Sequence, residues 1–147
     1  MLAKAYHELK DRQQKEINEF PMAYAFNNKQ LEEALVKLGN VDISECCTYL
    51  GIGDVLLKKD VPALKEMMKR HNDECHEFLK GDENDIYEAF LYEMDNHEYA
   101  INYEGDENVL SCFAIDATML KEYGLQLVYD KARREHMRKA HEEWELI

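Results

Sequence analysis

The chain has 147 residues, which suits one domain with a single core. Its hydrophobic content of 46% is too high for disorder, and the short apolar runs exclude a membrane span. Eighteen lysines and arginines stand against 31 aspartates and glutamates, a net charge of −13 that argues against direct binding to duplex DNA or RNA and favours a basic partner.

In chain order, the first helix is expected over residues 2–19, where Leu2, Ala5, Tyr6, Leu9 and Ile17 follow a rough helical period and Pro21 ends it. Residues 22–26, Met-Ala-Tyr-Ala-Phe, read as a short buried strand. Asn27 or Asn28 can cap the next helix, whose apolar face is Leu31, Ala34, Leu35 and Leu38 and which Gly39 closes. Residues 46–59 read as a hairpin, with strands Cys47–Leu50 and Val55–Leu57 around a Gly51–Asp54 turn. A helix capped by Asp60, with Pro62 in its first turn, follows with the stripe Leu64, Met67, Met68, His71, Cys75, Phe78 and Leu79. Gly81 stops it, and a second strong helix spans 83–99 with Ile86, Tyr87, Phe90, Leu91 and Met94 inward. Short helical pieces start near Asp106 and Asp116. A final helix runs over residues 125–143, its second half polar enough to protrude from the body. The fold class is therefore α+β: one helix-rich domain, a small antiparallel sheet of about three strands and a long C-terminal helix.

The charge is lopsided. From Gly81 to Leu120 there is no lysine or arginine, and 11 carboxylates account for most of the net charge. At 100° per residue, Asp85, Glu88, Tyr92, Asp95 and Tyr99 fall opposite the expected core stripe of the 83–99 helix. A row of carboxylates interleaved with aromatic rings can imitate nucleic-acid phosphates; the plainer alternative is a solvated acidic helix face. The basic stretch 131–139 offers secondary contacts to acidic surface or to bound RNA.

Other constellations are weaker. His71 and Cys75 share one helix face and, with His97 or Cys112, would supply zinc-type ligands. The spacing is no recognised zinc pattern, so a buried thiol and a core histidine are expected there, with no metal or other cofactor. Glu93 and His97, one turn apart, form a potential acid–base pair, weighed against a structural hydrogen bond. Asn96-His97-Glu98-Tyr99 lacks the second histidine of HExxH. Gly51-Ile52-Gly53 followed by Lys58 and Lys59 is a hairpin turn rather than a phosphate loop. With no catalytic signature, the chain is expected not to be an enzyme. The four cysteines and the polar N-terminus point to reduced thiols and a cytoplasmic setting.

Three segments carry a resemblance. They are Phe20-Pro21-Met22 leading to residues 25–30, Lys59-Asp60-Val61-Pro62 leading to residues 67–72, and residues 92–99, Tyr-Glu-Met-Asp-Asn-His-Glu-Tyr. Together, over roughly residues 18–105, they resemble a family of small acidic proteins of unknown function from Firmicutes and their phages and other mobile elements. No catalytic residue is implied. A mobile-element setting implies an inhibitor of host defence, with an anti-CRISPR protein that occupies the nucleic-acid groove of an effector nuclease as the leading expectation. The contacting residues are then Asp82, Asp85, Glu88, Tyr92, Asp95, Tyr99, Glu104, Asp106 and Glu107. The alternatives are a housekeeping interaction domain with an ordinary acidic surface and a small metal-binding domain.

Overall fold

The computed structural model describes residues 2–97 and 103–145; at 103, 104, 144 and 145 it describes the backbone alone. Among the described residues there are seven α-helices: α1 Lys4–Glu19, α2 Asn28–Lys37, α3 Val61–Phe78, α4 Glu83–Asn96, α5 Tyr103–Ser111, α6 Ala117–Glu122 and α7 Gln126–Glu145. The strands are β1 Met22–Tyr24, β2 Cys46–Cys47 and β3 Asp54–Leu57, an antiparallel sheet of order β1-β3-β2. The α+β class with a small three-stranded sheet and a long C-terminal helix is thus the observed one. Within a chain expected to be one domain, two compact units separate: residues 1–12 with 71–147, and residues 13–70. No helix among the described residues is long and apolar enough to cross a membrane.

The 13–70 unit holds the sheet. Asn27 caps α2, its side chain accepting the Gln30 N–H at 2.8 Å, and the helix ends at Gly39 in a left-handed conformation (φ +110°). Met22 pairs with Leu56 across β1–β3, and both point into a small core with Leu64 and Met67. The hairpin differs from expectation: β2 is Cys46–Cys47 rather than 47–50, and residues 48–53 form a loop. Asp54 is the cause. Its buried carboxylate accepts the Thr48 hydroxyl and the backbone N–H groups of Tyr49, Leu50 and Ile52, all within 2.8–3.2 Å. Backbone donors that a longer strand would direct to a neighbour are drawn to one side chain. Burial opposes ionisation of Asp54, but these four hydrogen bonds outweigh it and hold its pKa well below the carboxylate range. Asp60 ends a short 3-10 turn, Lys58–Asp60, that leads directly into α3.

The other unit is helical. α4 lies against α7, and Phe90 meets both Phe113 and Tyr129 edge-on at 5.0 and 5.3 Å. Tyr6 stacks on Phe113 at 5.0 Å, so the start of α1 belongs to this core. Buried Ile86, Ala89, Phe90, Leu91, Glu93 and Met94 wrap much of the circumference of α4, which is wider than the expected stripe. Asp116 caps α6, accepting the Met119 N–H at 2.9 Å. The second half of α7 does not protrude as expected: His136 is buried and Met137 packs on the core, while residues 141–143 are exposed.

Candidate functional site

The wide apolar contact of α4 decides what its acidic residues can do. Glu88 is half-buried and its carboxylate accepts the backbone N–H of Ala3 at 3.0 Å. Tyr92 is half-buried, its ring edge-on to His7 at 4.3 Å. Asp95 is exposed but hydrogen-bonds His136 Nδ1 at 2.6 Å and lies 3.5 Å from the Lys139 ammonium. Asp106, half-buried in α5, accepts the Tyr129 hydroxyl at 2.6 Å. Three members of the expected open row, Glu88, Tyr92 and Asp95, and Asp106 of α5 are therefore engaged within the unit. The helical wheel places the three opposite the core stripe, but the N-terminal segment and α7 meet that side as well.

The remaining members divide. Asp82 is exposed and caps α4, accepting the Asp85 N–H at 2.9 Å; Asp85 is half-buried in the first turn. Glu107 is exposed on α5. Tyr99 and the side chain of Glu104 lie outside the described residues. Glu83 and Asp116, outside the expected set, are also exposed. The basic stretch of α7 is largely spoken for: Arg133 pairs with Asp130, Arg138 with Glu135 and Glu142, and Lys131 sits 4.7 Å from the centre of the Tyr87 ring.

A second cluster lies at the end of α4. The ligand-type atoms of Glu93, His97 and Cys112 all fall within 4.8 Å of one another. Cys112 Sγ is 3.3 Å from His97 Nε2. Glu93 is buried and its carboxylate accepts the Tyr6 hydroxyl at 2.6 Å and the Asn96 amide at 3.3 Å. Lys10 donates to the Cys112 carbonyl at 2.6 Å and approaches Cys75 Sγ at 3.7 Å. Burial, followed by the hydrogen bond and charge of Glu93, pushes the Cys112 thiol up to about 12, with Lys10 pulling the other way. Burial, reinforced by Glu93, also raises the Tyr6 phenol. Both groups are therefore protonated near neutral pH; Tyr6 donates to the Glu93 carboxylate, and the Cys112 thiol lies 3.4 Å from the Asn108 carbonyl oxygen as well as against His97.

Of the residues weighed from sequence for zinc, His97 and Cys112 come together, and Glu93 joins them as it does in the acid–base alternative. Cys75 is buried and linked to the cluster through Lys10; His71 is buried one turn earlier on α3. All four cysteines are free thiols. Tyr6 and Lys10 were missed. Their i, i+4 spacing on an amphipathic helix gives no sign that a segment 87 residues from Glu93 closes over it.

Comparison with curated proteins and with solved structures returns no match. The Family of unknown function (DUF7659) matches residues 5–135, a span wider at both ends than the 18–105 of the sequence resemblance. The match takes in all the side chains of the Glu93 cluster and all nine acidic and aromatic positions. This chain accordingly belongs to the Family of unknown function (DUF7659).

Proposed function

We propose that the chain is a non-enzymatic binding protein that docks on a basic, nucleic-acid-binding protein through the acidic surface of α4 and α5. The observation that carries this reading is the absence of lysine and arginine from Gly81 to Leu120 against 11 carboxylates. Outside that segment the chain is nearly balanced, with 18 cations and 20 carboxylates. Such a concentration of one sign steers a basic partner toward one side of a molecule.

The contacts that fit this role best are Asp82, Asp85 and Glu107, together with the exposed carboxylates Glu83 and Asp116. Glu88, Tyr92, Asp95 and Asp106 serve mainly to build the surface, since each is engaged within its own unit. Docking by summed charge fits this arrangement better than imitation of regularly spaced phosphates. The narrower form of the proposal is an inhibitor carried by a phage or other mobile element, with a CRISPR effector nuclease as target in the bacterial cytoplasm. It is supported by the three-segment resemblance and by charge alone.

The test is affinity capture from a bacterial lysate on immobilised protein, with mass-spectrometric identification of what is retained. A basic nucleic-acid-binding protein is expected, displaced by its own DNA or RNA. The combined variant Asp82→Asn, Asp85→Asn and Glu107→Gln should weaken its capture by at least about tenfold, because rim charges act together on association. Asparagine keeps an acceptor at the Asp82 cap. Retention of a neutral or acidic partner that tolerates high salt and ignores nucleic acid would overturn the reading.

A further inference from the structure

We propose that Glu93, His97 and Cys112 form a binding site for a single divalent zinc-type cation, with the carboxylate, Nε2 and Sγ as its protein ligands and the remaining position open to water. This site is independent of the docking surface and of any partner.

Three observations carry it. The donor set is one oxygen, one nitrogen and one sulfur, the mixture that suits zinc and excludes magnesium or calcium. The spacing is close to what the ion needs. Bond lengths of about 2.3 Å to sulfur and about 2.0–2.1 Å to nitrogen or oxygen put tetrahedral ligand atoms roughly 3.5 Å apart. Cys112 Sγ and His97 Nε2 stand at 3.3 Å, and the whole set falls within 4.8 Å, so closure requires side-chain movement on the scale of an ångström. The third observation is the support behind the ligands. Glu93 is fixed by the Tyr6 hydroxyl and the Asn96 amide, the outer hydrogen bonds that orient a ligating carboxylate. On binding, the Cys112 S–H bond breaks, its proton passes to solvent, and the sulfur electron pair forms the bond to the metal. Lys10 is the cation placed against the cluster; held by the Cys112 carbonyl, its charge opposes that of the metal and is offset by Glu93 and the thiolate.

The test uses the full-length chain and cobalt(II) as a spectroscopic stand-in for zinc. Titration should give one cobalt per chain with a thiolate-to-cobalt absorption band in the near ultraviolet, removed by equimolar zinc. Cys112→Ser should abolish the band, and His97→Ala and Glu93→Gln should weaken cobalt binding by at least about tenfold. Cys46→Ser, in the other unit, should change nothing. His97 is exposed, so its variant remains folded and decides the matter if Cys112→Ser does not fold. A folded wild-type protein without the band, or a band that survives in Cys112→Ser or is unaffected by His97→Ala, would overturn the proposal.

Discussion

Residues 1–12 and 71–147 carry 10 lysines and arginines against 22 aspartates and glutamates, a net of −12; residues 13–70 carry 8 against 9, a net of −1. The units differ as much in what holds them together. The first is built on large aromatic contacts among Tyr6, Phe90, Phe113 and Tyr129, with carboxylates tied inward by hydroxyls and a histidine. The second has a core of a few aliphatic and methionine side chains and a loop gathered on Asp54. Among the described residues it also holds most of the large exposed apolar side chains, including Phe26 at 74% exposure, Val36 and Ile52, where the acidic unit shows Leu2 and Leu127. Electrostatics are thus concentrated where the core is strongest. An acidic surface repels itself, and a well-packed core beneath it absorbs that cost.

The largest effect should come from removing the centre of the aromatic core. Phe113 is fully buried between Tyr6 and Phe90. Phe113→Ala should cost about 3–5 kcal/mol, from lost transfer energy and the cavity left behind. Urea denaturation followed by far-ultraviolet circular dichroism measures it. A loss below about 1 kcal/mol would mean that the aromatic cluster is not the main support of the acidic unit.

Asp54 is the corresponding point in the sheet unit. Asp54→Ala strands the N–H groups of Tyr49, Leu50 and Ile52 and should cost about 2–3 kcal/mol, with Asn recovering part because one acceptor oxygen remains. The pH dependence has a definite sign. The folded pKa lies below the unfolded value of about 3.9, so the contribution is complete above roughly pH 5. It is lost as pH falls below that toward the folded pKa. Wild-type protein should therefore lose stability between about pH 5 and 2 more steeply than Asp54→Asn. Parallel acid-unfolding curves for the two proteins would show that the Asp54 carboxylate is not the group that titrates with unfolding.

Much of this organisation was legible in the sequence because it is local. The cap of α2 at Asn27 or Asn28, the helix start near Asp116, the Gly39 stop and the apolar stripe of α4 follow from spacing along a single helix. The pattern of residues 46–59 suggests a longer hairpin because Tyr49 and Leu50 look strand-like, whereas Asp54 captures their N–H groups in a loop. Part of the acidic row is covered for a longer-range reason. A helical wheel knows one side as inward, but Ala3 and His7 meet α4 from nearly 90 residues away in sequence, and His136 and Lys139 meet it from about 40. The Glu93–His97 pair was visible as i, i+4; the arrival of Cys112 and the hydroxyl of Tyr6 was not, since neither carries a motif.

The smallest effect tests the charge difference itself. At low ionic strength the surplus of 12 negative charges in the acidic unit repels over distances of ~10 Å and beyond, while its attractive pairs, such as Asp95 with Lys139 at 3.5 Å, act at contact. Salt screens the longer-range repulsion more completely than the close, partly buried pairs. Raising sodium chloride from about 20 mM to about 500 mM should therefore stabilise α4 and α7 by on the order of 0.5–1 kcal/mol. The sheet unit, with a net of −1, has little repulsion to relieve and should change by less. Hydrogen exchange read separately on peptides from α4, α7 and β3 resolves the two responses under conditions where exchange reports opening free energies. Equal protection gained in both units would point to a general effect of salt on apolar burial. Protection lost from α4 and α7 would show that the close pairs with His136 and Lys139 outweigh the repulsion. In that case the acidic unit is held together by its charges rather than in spite of them.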